Sequence, residues 1–151
     1  MPDLFPTSLT ESTISDATTS RVTFGDSFKF DFNAGEFVLT PTGKNAQTKN
    51  IDAWVEWCQK ALMTARYRYL VYTRNYGQEF EDAIGQNYTK PAAESEIRRM
   101  AIECLTADPR TARVDNFVFT WLDASSVMFS CDIYNVLDES ANITGSVVIS
   151  Q

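Results

Sequence analysis

Histidine is absent from this chain of 151 residues. That removes Ser-His-Asp and Cys-His catalysis and nearly every common zinc or iron site. Basic residues are also scarce, 13 Lys and Arg against 20 Asp and Glu, for a net charge of −7. Such a balance argues against a nucleic-acid partner, which calls for a basic footprint. No apolar run approaches the ~20 residues of a membrane helix, and no basic-then-apolar signal opens the chain, so neither a membrane partner nor export is expected. There is no glycine-rich phosphate loop, no G-x-S-x-G and no dinucleotide fingerprint. The sequence therefore predicts no cofactor, no bound metal and no catalytic residues.

Cysteine is sparse and unpatterned. Cys58, Cys104 and Cys131 form no C-x-x-C pair, and each falls on an apolar stripe, which predicts buried free thiols. Acid pairs exist, Glu79 with Glu81 and Asp82, and Glu94 with Glu96. A glycosidase needs one of two carboxylates in an apolar pocket to raise its pKa. These acids instead have basic neighbours on helix faces, as solvated surfaces do.

What is present is enough apolar material for one core: 44% hydrophobic and 13% aromatic residues. Residues 1–27 are rich in Ser and Thr and read as an arm, too polar to offset its ordering entropy alone. Residues 28–151 read as a single domain. Phe28, Phe30 and Phe32 alternate with Lys29 and Asp31, and Gly35 turns the chain into Glu36 to Thr40, which predicts a β-hairpin with an aromatic face.

Ile51, Trp54, Val55, Cys58 and Leu62 recur at helical spacing with Asn50 placed as an N-cap, and Lys60, Arg66 and Arg68 gather towards the C-terminal end, where the helix dipole favours them. Trp57 lies at the border of that stripe. A short helix is predicted over Glu79 to Ile84. A third opens at Pro91, buries Ile97, Met100, Ala101, Cys104 and Leu105, and pairs Glu94 with Arg98 on its wet side.

That helix runs into Thr106-Ala107-Asp108-Pro109-Arg110. Aspartate is poor inside a helix, and the residue before proline is pushed out of helical geometry, so the helix should stop near Ala107. Arg110 then stands on a stiff elbow, with Arg113 just beyond. A guanidinium held there suits a carboxylate or carbonyls, on another surface or within the same chain. Arg110 is expected to serve assembly more than folding, so Arg110→Ala should leave the melting temperature nearly unchanged while assembly fails.

Three strands follow. Phe117, Phe119 and Trp121 alternate in the first. Val127, Phe129, Cys131 and Ile133 alternate in the second, and Ile143, Gly145, Val147 and Ile149 in the third. Short polar connections suit an antiparallel meander. The predicted class is α+β: an N-terminal β-hairpin, two to three helices and a C-terminal three-stranded antiparallel sheet. The last strand should be an edge. From Asn142 to Gln151 no charge or proline blocks pairing, which favours an edge meant to be covered. Thr144, Ser146, Val148 and Ser150 alternate on the side away from the core and mark the candidate docking strand. The stretch Val127 to Val136 is the fallback.

Phe30-Asp31-Phe32, Gly35-Glu36-Phe37 and Thr42-Gly43-Lys44 resemble the opening of the XkdS-type tail proteins of defective Bacillus prophages. Trp57, Lys60-Ala61-Leu62, the link from Arg66 to Tyr72, Tyr76-Gly77 and Glu103 to Arg110 continue the match. That family is similar to the baseplate wedge proteins of contractile phage tails and to TssE of type VI secretion, sometimes labelled lysozyme-like. Those relatives carry Glu-Pro-Arg where this chain has Asp108-Pro109-Arg110.

The resemblance implies a structural baseplate component of a contractile phage tail or tail-like particle, joining wedge subunits to the first sheath ring. The elbow residues Asp108, Pro109, Arg110 and Arg113 would meet a wedge bundle, and the last strand would meet sheath strands. It further implies a sixfold ring, tube or hub neighbours, residence in the tail baseplate and assembly in the host bacterial cytoplasm. A small cytosolic regulatory adaptor without catalytic activity is the alternative among relatives.

Overall fold

The computed structural model describes residues 22–83 and 86–149. In chain order the elements are β1 (Asp26–Phe28), β2 (Phe30–Asp31), β3 (Glu36–Phe37), β4 (Gln47–Lys49) and α1 (Asn50–Met63), then a 3-10 turn (Phe80–Ala83), α2 (Lys90–Thr106), β5 (Thr111–Trp121), β6 (Ser126–Asn135) and β7 (Ser140–Val148). The class is α+β, with small antiparallel strand pairs before the helices and a three-stranded antiparallel sheet after them.

The aromatic hairpin is split. Only Phe30 and Asp31 pair with Phe37 and Glu36, while Asp26 to Phe28 pair with Gln47 to Lys49. Gly35 supplies the positive φ of +76° that the tight turn needs. The Asp31 carboxylate accepts the N–H groups of Asn33 and Ala34 at 2.8 and 3.0 Å. Phe30 meets Phe32 and Phe37 edge-on, and the Lys60 ammonium of α1 lies 5.6 Å and 5.7 Å from the Phe30 and Phe37 ring centres. That cation packs on part of the aromatic face, while Phe28 and Phe37 stay about half exposed.

The folded unit also begins before residue 28. Asp26 and Ser27 are in β1, and Phe24 packs edge-on against Trp54. The rest of the predicted arm, residues 1–21, lies outside the described residues.

The first helix buries Ala53, Trp54, Cys58, Ala61 and Leu62. Asn50 is not its cap. Its φ is +54°, the helix start carries no side-chain capping bond, and its own N–H donates to the Gly25 carbonyl at 3.0 Å. Arg66 and Arg68 lie past the helix end rather than on its last turn. Arg66 is 8% exposed at its side chain and donates to Glu79 and Glu103, both at 2.8 Å, which ties the loop to α2.

The second helix buries the whole predicted stripe: Ile97, Met100, Ala101, Cys104 and Leu105. Its wet side differs from prediction. Glu94 accepts the Trp121 indole N–H at 2.7 Å, and Arg98 lies over the Phe117 and Phe119 rings. Periodicity places those residues near one another but does not see the sheet that takes each of them.

Both helices rest on the face of the sheet made by Val127, Phe129, Cys131, Ile133, Ile143 and Val147, all buried. Burying side chains of this size contributes roughly 1.5–3 kcal/mol each. Cys58, Cys104 and Cys131 are free and buried in the same core. Burial pushes each thiol up to about 12.

Candidate functional site

Two features carry the functional reading, and both are set by the ends of the sheet. The first is the elbow. With α2 stopped at Thr106, Thr111 N–H donates back to the Asp108 carbonyl at 3.0 Å and β5 begins. Asp108 accepts the Arg110 backbone N–H at 2.8 Å and Arg110 Nε at 3.0 Å. Arg110 Nη2 completes the fork at 2.5 Å.

The remaining nitrogen, Nη1, donates to the Phe24 carbonyl at 2.8 Å, and the guanidinium sits 5.9 Å from the Trp57 ring centre. Side-chain exposure is 15% for Arg110 and 5% for Asp108, so this clasp is internal. The sequence assigns Arg110 to a partner more than to the fold; here its fork closes on Asp108 of its own chain. Trp57 and Phe24 belong to the clasp, and no local sequence signal tied them to the arginine.

Pro109 is exposed. Arg113 is half exposed, pairs with Asp115 and lies 3.5 Å over the Tyr134 ring. The elbow therefore offers outward a proline and one arginine, on a backbone held from beneath.

The second feature is the free edge of β7. Strand order is β5-β6-β7, so β6 is central and paired on both sides. That removes Val127 to Val136 as a docking strand. In antiparallel pairs, residues that exchange hydrogen bonds alternate with residues that do not. Asn135 N–H donates to Glu139 O at 2.9 Å, and Ile149 N–H to Ser125 O at 2.5 Å, at the two ends of the β6–β7 ladder.

Counting inwards, Ala141, Ile143, Gly145 and Val147 bond to β6. The N–H and C=O groups of Asn142, Thr144, Ser146 and Val148 point away from it. The Thr144 carbonyl accepts Gln59 Nε2 from α1 at 2.9 Å, as an outward carbonyl can. The side chains of Thr144, Ser146 and Val148 are exposed, while Ile143 and Val147 are buried. Ser150 lies outside the described residues.

Gly145 has a reason to be glycine. An added Cβ would stand 2.5 Å from the Phe129 ring.

Of the five acids in the predicted pairs, four are bound to partners. Glu79 and Glu81 bond arginines, Glu94 the Trp121 indole and Glu96 Arg99. Among the described residues no group of three or more Cys, Asp or Glu could hold a metal, and no helix is long and apolar enough to cross a membrane.

Three comparisons place this geometry. The chain is 31% identical over 91 residues to the phage-like element PBSX protein XkdS of Bacillus subtilis (strain 168), a match that spans 60% of each chain. Among solved structures, one described as a tail lysozyme from Geobacter sulfurreducens aligns with a TM-score of 0.53 at 14% identity, over 65% of this chain and 89% of that one. A chain of the anti-feeding prophage baseplate aligns with a TM-score of 0.50 at 16% identity, over 83% and 86%. Identities this low establish a shared fold and nothing further. The sequence profile of the contractile injection system sheath initiators matches residues 26–136, from β1 past the end of β6, and the chain belongs to that family.

Proposed function

We propose that the protein is a structural baseplate component, without catalytic activity, that joins the wedge proteins of a contractile particle to the first ring of its sheath. The observation that carries this reading is the outer edge of β7. Its Ser146 and Val148 backbone groups face away from β6, and no charge or proline guards it. An edge of that kind adds a strand from another chain through main-chain bonds.

Family membership supports the particle in question. On the opposite flank the elbow makes the wedge contact. Pro109 and Arg113 meet the partner, and the clasp of Asp108 and Arg110 fixes the shape they present. The same reading places the protein in a sixfold ring beside tube or hub proteins in the tail baseplate, assembled in the host bacterial cytoplasm. The hairpin from Phe28 to Thr40 is surplus to a compact regulatory adaptor, which favours the assembly role.

Val148→Pro tests the docking edge. It removes an outward donor from an edge strand, where proline is tolerated. The variant should fold and enter particles that carry no sheath, whereas Thr144→Ala and Ser146→Ala should leave fold and sheath intact. A folded Val148→Pro protein that nucleates sheath normally would rule out this edge.

A further inference from the structure

Beside the β7 edge lies a cleft of ≈ 420 Å³, lined by Phe32, Leu62 and Met63, by the amides of Asn33, Gln59 and Gln78, and by Gly145. None of the residues that line it is ionisable. We propose that this cleft receives one large uncharged side chain, aliphatic or aromatic, from the strand that docks on β7, and that Gln59 is the stop that fixes where that strand ends. This rests on the reading that the β7 edge takes a partner strand.

The geometry follows from alternation. A strand added antiparallel, as every pair in this sheet is, bonds to the outward groups of Val148 and Ser146. Its next residue stands opposite Gly145, at a position without hydrogen bonds, where facing strands come closest. There its side chain emerges on the face to which Ile143 and Val147 point, the face covered by α1. The Phe129 ring occupies the space over Gly145 from the β6 side, and the cleft beside Leu62 and Met63 on the outer side is left for the incoming residue.

One position further on, pairing would need the Thr144 carbonyl, and Gln59 Nε2 already holds it at 2.9 Å. A neutral amide suits a stop of this kind. It satisfies the carbonyl while the edge is empty and introduces no charge into a cleft without ions. The pairing therefore runs from Val148 to Ser146 and ends with the side chain in the cleft. A docking segment with a charged residue at that position is rejected by the cost of burying an unpaired charge.

The test uses full-length protein in particles assembled in cells whose own copy carries the substitution. A photo-crosslinking p-benzoylphenylalanine is placed in turn at Val148, Met63 and Thr144, and captured peptides are sequenced. Positions 148 and 63 should capture one segment of one partner, with an uncharged residue at 63. Capture at 144 should be about tenfold weaker, the size of one lost backbone hydrogen bond.

In Gln59→Ala, whose melting temperature should match the parent, capture at 144 should rise to the level at 148. Gln59→Glu, which accepts but cannot donate when ionised, should behave like Gln59→Ala. Equal capture at 144 in the parent, weak capture at 144 in Gln59→Ala, or a charged residue at 63 would overturn the proposal while leaving edge docking in place. No partner captured at 148 would overturn edge docking itself, and this proposal with it.

Discussion

The two edges of the C-terminal sheet are built from the same chain and differ in register and charge. The β5 edge carries Arg113 and Asp115 within the strand, and its ladder to β6 slips twice, between Thr111 and Arg113 and between Asp115 and Val118. Asn116 sits there at a φ of +53°. Charges and a bulge are how natural sheets keep edges from pairing with strangers. The β7 edge pairs with β6 without a slip from Ser140 to Val148 and shows only neutral side chains. What guards it is a single amide, Gln59, at a single carbonyl. One edge is closed by its own sequence, and the other is left open except at one point.

The closed edge begins at the elbow, so the largest expected effect comes from breaking it there. Arg110→Ala removes the fork that holds Asp108 and strands a carboxylate 5% exposed. Leaving a buried charge without its partner costs ~3–5 kcal/mol. Thermal unfolding should show a large fall in melting temperature, against the near-silent change the sequence suggested for an arginine serving another protein. An unchanged melting temperature would mean that the clasp contributes little, and that the arginine is free to serve a partner.

A second effect concerns the core on which both edges rest. Cys58, Cys104 and Cys131 are raised by burial from an ordinary value of 9.0 to about 12. Their folded values exceed their unfolded ones, so the stability they represent is fully present below pH 9. It is lost as unfolded thiols ionise between pH 9 and about 12. Urea titrations across that window should show stability falling by ~1.4 kcal/mol per pH unit for each thiol. A flat profile would place the thiols in water. Native protein should also react slowly with a thiol reagent.

The smallest effect on the fold sharpens the comparison most. Ser146→Lys transplants onto β7 the kind of guard β5 already has. Ser146 faces solvent, so stability should move by within ~0.5 kcal/mol. Sheath nucleation should nevertheless weaken, because edge lysines oppose pairing. Calorimetry and particle imaging together check this, and unchanged sheath would mean that the edge is guarded or used differently.

Much of this was legible in the residues. The α2 stripe, the in-and-out alternation of β6 and β7, the three buried thiols and the helix stop before Pro109 follow from local periodicity and backbone sterics, and they appear as expected. What failed was tertiary choice. Glu94 and Arg98 stand four apart, yet a tryptophan and two phenylalanines of the sheet take them instead.

Asn50 has the right chemistry for a cap, but pairing of β1 with β4 directs its backbone to Gly25. The fallback docking strand, Val127 to Val136, proved central because strand order is not written in alternation. Gln59 and Phe24 carry no motif. Their roles exist only once α1 lies beside β7 and Phe24 lies beside the elbow.

The most direct test of the open edge is amide hydrogen exchange, read residue by residue, in the isolated protein and in sheathed particles. Gly145 and Val147 bond to β6 and should be protected in both. Ser146 and Val148 should exchange rapidly in the isolated chain and become protected when sheath is present. Protection of Ser146 and Val148 already in the isolated protein, or its absence in sheathed particles, would contradict the account.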